Sequence, residues 1–553
     1  MKFQHLLILF SFVSIKFGMA QNMTDYNGAW VGTLSNPKSF QIEVSIHKFG
    51  TERATLQLST KTQRTSFPIG NNSDPEFTIP ISETQSFQGT RSEDKSSISG
   101  FMKSGLLLYH ITLKKTANNS YSGVWNLLMV EELRSDKLYL SIENGDQETY
   151  QAYPFFGDDR FTGTWAYDFQ KQQDTLSFSD FKTGLQFRGV LQETKIILEL
   201  FIADHSMATA VLSRTDTEWK RDGLTSEKRA SKLSFPELEA LILKDSFPNT
   251  HAILVQRNGA LVYEQYFDGY HENLPHDMRS ASKSISSTLM GIAKEARLYE
   301  SVDQSIFEFL PKEYQSYKNS ENAGIDLKSL LTMSSGLDAV DFGENANRAS
   351  SATEDNYQQS ADWTASVLQA EMLHPPNTHA NYGSANPYLL GVALDSMVPH
   401  SVALYMDKML FQPLGITNYI IQTDLKGRPY FGGGMYLTPP DMLKYGTLYL
   451  NKGIWKGKRI VSEAWIEKSL TPYRALENTT KQNLYGYLWW HDAYQVGNQT
   501  IKTLEARGAG GQYIVVIPEL DAVVVITSGN FRNGRGQQPE KILENFLLPK
   551  LID

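Results

Sequence analysis

The sequence contains no cysteine. That one absence excludes disulfides, thiolate-held zinc, iron–sulfur clusters and thiol nucleophiles together, leaving covalent chemistry to oxygen or nitrogen. A surplus of positive charge is missing too. Lys and Arg number 52 against 61 Asp and Glu, for a net −9, which argues against nucleic-acid partners. Beyond the N-terminal segment no apolar run approaches the roughly 18 residues of a membrane-spanning helix, so no span is expected in the mature chain. What remains is a globular composition. Of 553 residues, 41% are hydrophobic and 20% charged, enough for two or three cores.

The N-terminus reads as an address. Lys2 supplies charge, Leu6 to Ile15 is mostly apolar, and Gly18-Met19-Ala20 offers small residues before Gln21. This is the pattern of a cleavable signal peptide over 1–20. A buried strand or an uncleaved anchor is the other reading. No cysteine follows to carry a lipid, so a periplasmic or secreted location is expected.

Residues 21–213 read as strands. Phe40 to Ile46, Leu106 to Leu113, Lys137 to Ile142 and Ile196 to Ile202 alternate or are β-branched and aromatic, with turn residues between them. A Gly-x-Trp unit recurs at Gly28-Ala29-Trp30, Gly123-Val124-Trp125 and Gly163-Thr164-Trp165. An antiparallel barrel or sandwich is expected, with an indole plugging its end. The likeness to lipocalin-type barrels rests on this unit alone, and a structural or partner-binding role is favoured over a ligand cavity. From Arg214 to Lys232, ten of nineteen residues are charged, which suits a solvated linker. Residues 233–553 then mix strand and helix. Hairpin signals stand near both ends, at Arg257-Asn258-Gly259 and around Pro518-Glu519-Leu520-Asp521, which suggests one sheet assembled from both ends of this part. An α+β chain is therefore expected, an all-β domain followed by a domain of mixed strand and helix.

Chemistry-bearing residues concentrate in the second part. In Arg279-Ser280-Ala281-Ser282-Lys283, a helix starts at Ser280, with Ile285, Leu289, Ile292 and Ala296 on one face. Lys283 is one turn on and can face the same side. A lysine in a desolvated place can take a serine's proton, and the helix-start N–H groups can stabilise an oxyanion. A plain serine N-cap accounts for the same residues. Tyr382, in Asn381-Tyr382-Gly383-Ser384-Ala385-Asn386, can carry a proton or simply pack a helix start. In Ala506-Arg507-Gly508-Ala509-Gly510-Gly511-Gln512, glycine permits close approach to a ligand or makes only a bend.

Taken in order, these stretches resemble the serine β-lactamase-related hydrolases: class C β-lactamases, penicillin-binding proteins, esterases and 6-aminohexanoate-dimer hydrolase. Arg279 to Ala293, Leu330 to Leu337, Pro413-Leu414-Gly415, Gly432 to Leu437, Tyr485 to Trp490 and Gly508 to Pro518 carry the likeness over roughly 250–550. The resemblance implies an antiparallel sheet flanked by helices, with an inserted helical subdomain and the cleft between them. It implies Ser280 as the acylated nucleophile, Lys283 as its activating partner and Tyr382 as the proton carrier. It also implies an oxyanion hole from the N–H groups of Ser280 and Ala509. Two positions depart from the β-lactam-acting members. Ser384 stands where Tyr-x-Asn has asparagine, with Asn386 two residues on, and Ala506-Arg507-Gly508 replaces Lys-Thr-Gly or His-x-Gly. Ser384, Asn386, Arg507 and Gly510 are the substrate-binding candidates, Arg507 on the condition that it points into the cleft.

A serine hydrolase of a small amide or ester is therefore expected, without metal or cofactor. The alternatives are a D-amino-acid peptidase or weak β-lactamase on cell-wall-like substrates, and a non-catalytic protein whose β domain binds a ligand or partner. His271 and His276 are five apart with Pro275 between them, so they read as a loop rather than a zinc helix. No Gly-x-Ser-x-Gly elbow occurs.

Overall fold

The structure, a computed structural model, describes residues 26–35, 41–70, 74–117, 119–127, 137–144, 150–156, 166–172, 174–180, 182–192, 194–215, 225–343 and 346–552. The expected signal segment and the Gly163-Thr164-Trp165 unit lie outside the described residues.

The N-terminal part is built of strands in two antiparallel sheets. Period-two burial drives it: in Gln186–Gln192, Phe187, Gly189 and Leu191 face inward while the residues between them are exposed. The chain opens with Gly28–Leu34 in one sheet and leaves for eight strands of a second, from Gln41–His47 to Ser120–Asn126. It then returns to complete the first sheet with strands from Lys137–Asn144 to His205–Arg214. The edge strands of the first sheet, Tyr150–Phe156 and Ala166–Gln172, lie against each other, so that sheet is nearly closed into a barrel. Trp30 belongs to one sheet and Trp125 to the other, and both are buried in a single core with Ile42, Leu140 and Phe187.

The second part centres on a nine-stranded antiparallel sheet that joins both of its ends. Thr250–Arg257 pairs with Ala522–Ser528, placing Ile253 opposite Ile526. Alternation then serves two layers. Ile253 and Val524 pack under the helix Pro236–Leu243 and the C-terminal helical run from Gln538 to Ile552. Leu254 and Val525 pack under Pro439–Leu450 and Lys283–Glu295. Residues Lys283 to Ala293 are all buried, so this helix is enclosed on every side rather than laid on a surface.

The expected linker differs from expectation. Ser226–Ser231 forms a strand on the edge of the nine-stranded sheet, with Ser226 opposite Phe267. Charged side chains are compatible with an edge strand, because the backbone pairs on one side while Glu227, Lys228 and Arg229 stay in water.

The two parts also share backbone hydrogen bonding. The long strand Leu107–Ala117 pairs at its start with Tyr419–Gln422 of the second part, Tyr109 opposite Ile420. Tyr419–Gln422 pairs in turn with Met435–Leu437, and that strand with His276–Asp277, the residues just ahead of Ser280.

Candidate active site

Ser280 lies in a 3-10 turn, Arg279–Ser282, that runs directly into the helix Lys283–Glu295. Asp277 sets the turn. Its carboxylate accepts the Arg279 N–H at 2.9 Å and sits 3.0 Å from Arg279 Nε. Arg279 is held at φ 47°, a left-handed conformation rare for a residue with a side chain. Ser280 is half-buried and Lys283 fully buried, so solvent meets the hydroxyl and not the amine.

Lys283 Nζ lies 2.7 Å from Ser280 Oγ and 3.0 Å from Ser384 Oγ, and also bonds the Gly432 carbonyl. These contacts suit both protonation states. An ammonium donates to all of them, whereas a neutral amine donates to Ser384 and Gly432 and turns its lone pair on the Ser280 hydroxyl. Burial pushes the Lys283 pKa below the usual lysine value, while Glu354 and then Asp341 pull it back. Tyr382 is buried against the same group, its ring 5.1 Å from Lys283 Nζ, and hydrogen-bonds Ser280. Burial drives its hydroxyl well above the usual tyrosine range, and Asp341 and Glu354 add to this, against the Ser280 hydrogen bond. The phenol is therefore protonated at rest.

Tyr382 is placed by backbone rather than by its ring. Asn478 accepts the Tyr382 N–H at 2.8 Å and donates to its carbonyl at 3.2 Å. The following Gly383 crosses Ala339 so closely that a Cβ would fall 1.6 Å from the Ala339 carbonyl oxygen. Only glycine can pass there. Phe342, Tyr485 and Trp490 surround the Tyr382 ring at centroid distances of 5.4, 6.1 and 5.1 Å.

Ser384 does not offer itself to a ligand. Its hydroxyl donates to Asp341 Oδ2 at 2.6 Å, its N–H donates to the same oxygen at 2.7 Å, and it accepts from Lys283. It is a link between Lys283 and Asp341. Asp341 accepts the Glu354 N–H at 3.3 Å, and Glu354 accepts the Tyr430 hydroxyl at 2.5 Å. Burial, with Glu354 as a like-charged neighbour, pushes Asp341 up to about 6, against Lys283 and the two Ser384 bonds. Asn386 sits inside the helix Ala385–Met397, 2% exposed, with its amide nitrogen turned back on Gly383 O at 3.2 Å.

On the other side of Ser280 stands the strand Gln499–Gly508. A Cβ on Gly508 would fall 2.4 Å from the Met278 carbonyl oxygen and 3.2 Å from Arg279 Cβ, so glycine lets this strand touch the turn that carries Ser280. Ala509, the next residue, is exposed just beyond the last strand residue, and the Ser280 N–H lies in a first helical turn, where no preceding carbonyl is positioned to accept. Gly510 is buried, and its N–H donates to Gln512 at 3.1 Å while its carbonyl accepts from Ser528 at 2.8 Å. It belongs to the turn.

Arg507 corrects the expectation of a carboxylate clamp. Its guanidinium meets Glu505 at 2.6 Å, Asp492, and Glu540 at 3.4 Å. It is 9% exposed and lies opposite Tyr513, under the C-terminal helices. Strand alternation sends Ala506 and Arg507 to opposite faces, and three carboxylates saturate the arginine on its own face.

Thus Ser280, Lys283, Tyr382 and Ser384 converge, Ala509 stands beside them, and Asn386, Gly510 and Arg507 are engaged elsewhere. Sequence reading missed Asp341, Glu354 and Asn478, which belong to no local motif and reach the site only through the fold. It picked out the stretch beginning at Gly432 but not the Gly432 carbonyl as a partner of Lys283.

A serine at the head of a buried helix, touching a lysine one turn on, between an antiparallel sheet and helices, defines a serine hydrolase. The chain belongs to the Beta-lactamase family, whose model matches residues 249–544. It is 23% identical over 339 residues to the 6-aminohexanoate-dimer hydrolase of Paenarthrobacter ureafaciens, covering 58% of this chain and 81% of that one. Among solved structures it is similar to a β-lactamase/D-alanine carboxypeptidase from Yersinia pestis complexed with citrate, with TM-score 0.44 and 18% identity, covering 58% of this chain and 97% of that one. A penicillin-binding protein from Bacillus halodurans aligns with TM-score 0.41 and 17% identity, over 54% of this chain and 97% of that one.

Proposed function

We propose that the enzyme cleaves a small amide or ester through an acyl-enzyme on Ser280. The observation that carries this reading is the 2.7 Å contact between Lys283 Nζ and Ser280 Oγ, made by an amine whose pKa burial lowers. Neutral Lys283 takes the hydroxyl proton as Ser280 Oγ attacks the carbonyl carbon. The N–H groups of Ser280 and Ala509 receive the oxyanion. Tyr382, protonated at rest, hands its proton to the leaving nitrogen or oxygen and recovers one from Lys283. Water then attacks the acyl carbon with the proton path reversed, freeing Ser280 and the acid.

The site supports neutral substrates over carboxylate-bearing ones, since Arg507 is tied to three carboxylates. Cell-wall-like substrates and β-lactams are disfavoured on the same ground. Export to the periplasm or medium is proposed from the N-terminal signal pattern. Hydrolysis of a short-chain p-nitrophenyl ester by wild type and Ser280→Ala tests the mechanism. Activity lost in the variant, by about 10³-fold or more, is expected; full activity in Ser280→Ala refutes it.

A further inference from the structure

The N-terminal β part reaches the turn that carries Ser280, and it does so with a charge. A turn at residues 182–183 leads into the strand Gln186–Gln192. Its Lys182 and Thr183 carbonyls accept from Leu106 N–H at 2.9 Å and Ser104 Oγ at 2.7 Å, which ties this turn to the start of the strand Leu107–Ala117. Leu106 in turn accepts the Thr423 N–H at 2.7 Å, at the end of the strand Tyr419–Gln422. The 182–183 turn is therefore anchored where the two parts share a sheet.

The Lys182 side chain is buried, and its ammonium lies 5.5 Å from the centroid of the Tyr436 ring. Tyr436 is directly opposite Asp277 in the pairing of Met435–Leu437 with His276–Asp277. Opposed residues of an antiparallel pair project to the same face, so Lys182 and the Asp277 carboxylate share it. The electrostatics agree. Burial lowers the Lys182 pKa to about 8, Asp277 is the strongest influence holding it up, Arg279 opposes, and Asp180 assists. Burying an ammonium is costly unless opposite charge faces it, and Asp277, with Asp180 second, supplies it. Asp277 also accepts the Arg279 N–H and pairs with its guanidinium, and Arg279 is the left-handed residue that delivers Ser280 to the helix start.

We propose that Lys182 is a positioning residue for hydrolysis, supplied by the N-terminal β part: it fixes the Asp277 carboxylate, and Asp277 fixes the left-handed Arg279 that presents Ser280. The inference rests on Ser280 being the acylated residue. It assigns the β part a share in the catalytic unit. Without Lys182, Asp277 loses the buried positive charge that holds it on that face, its two bonds to Arg279 are held less firmly, and the Ser280 hydroxyl is placed less sharply against Lys283.

The test is steady-state ester hydrolysis by the full chain carrying Lys182→Met, Lys182→Arg, Asp277→Asn, the Lys182→Met/Asp277→Asn pair, and Ser280→Ala. A misplacement of about 1 Å at a reacting group can cost about a hundredfold, and a smaller one less, so Lys182→Met is expected to lower kcat about tenfold with KM changed by less than about twofold. Lys182→Arg is expected to recover most of that loss. Because both act through one carboxylate, the double variant is expected to be no slower than Asp277→Asn alone. A folded Lys182→Met with kcat within about twofold of wild type overturns the proposal, as do losses that multiply in the double variant. If Lys182→Met does not fold, Asp277→Asn decides: unchanged kcat overturns the proposal, and a loss of about tenfold at constant KM supports it. Retained activity in Ser280→Ala refutes the acyl-enzyme itself, whereas a dead Ser280→Ala beside an active Lys182→Met refutes this inference only.

Discussion

Replacing Asp341 by asparagine tests the electrostatics behind Lys283 without dismantling the geometry. The amide oxygen of the Asp341→Asn variant can still accept the Ser384 N–H and hydroxyl that Asp341 Oδ2 now holds at 2.7 and 2.6 Å. What disappears is a negative charge, together with the longer 3.3 Å hydrogen bond that Asp341 Oδ1 accepts from the Glu354 N–H. The path from Asp341 Oδ2 to Lys283 Nζ through Ser384 Oγ has legs of 2.6 and 3.0 Å, which puts the two charges within about 6 Å. At an effective dielectric of about 20, that attraction is about 3 kcal/mol, or about two pK units on Lys283. Asp341 titrates at about 6, so the full effect is present only above that pH. The sign is set by the base. Lys283 must be neutral to accept the proton, so kcat/KM rises with pH through its pKa. Asp341 raises that pKa, and its removal lowers it. The acidic limb of the kcat/KM profile of Asp341→Asn is therefore expected to move down by about one to two units. A limb that stays within about 0.3 unit, or moves up, refutes the assignment of Lys283 as base. Glu354→Gln is expected to shift the limb in the same direction and further, because Glu354 pulls on Lys283 more strongly than Asp341 does.

Other outcomes follow from packing and burial. Gly508→Ala would put a methyl 2.4 Å from the Met278 carbonyl and force apart the strand and the turn that carries Ser280. A fall in kcat of about a hundredfold is expected, with overpacking of about 1–3 kcal/mol visible in thermal denaturation; normal kcat would show that the contact does not matter. His491 is half-buried, and that burial lowers its pKa to about 4. The unfolded chain takes up that proton first, so the stability His491 contributes is intact above about pH 6.5 and is lost as pH falls toward 4, by up to about 3 kcal/mol. His491→Phe is expected to lose less of its thermal midpoint than wild type between those pH values, and parallel losses in the two proteins would refute this.

Short-range relations are legible in the sequence. Three residues of helix are one turn wherever the helix lies, so Ser280 and Lys283 meet for a reason their spacing already contains. The two hairpins flag the ends that pair in one sheet, because turn chemistry is local. Period-two runs identify the N-terminal part as all-β. Other features depend on which segments the fold brings together. Arg507 has a direction only once its strand has two differently covered faces, and its partners come from Asp492 and Glu540 on other elements. Ser384 becomes a link rather than a ligand group because Asp341 arrives from a loop 43 residues earlier. Lys182 acquires its place through a sheet shared by two parts of the chain.

The sequence by itself thus determined that Ser280 and Lys283 meet and that an all-β part precedes one of mixed strand and helix, since both depend on spacing and periodicity along one segment. Tertiary structure alone decided the charge around that pair. A buried ion's energy depends on which opposite charges lie within a few ångströms, and that is a property of distance in space rather than distance in sequence.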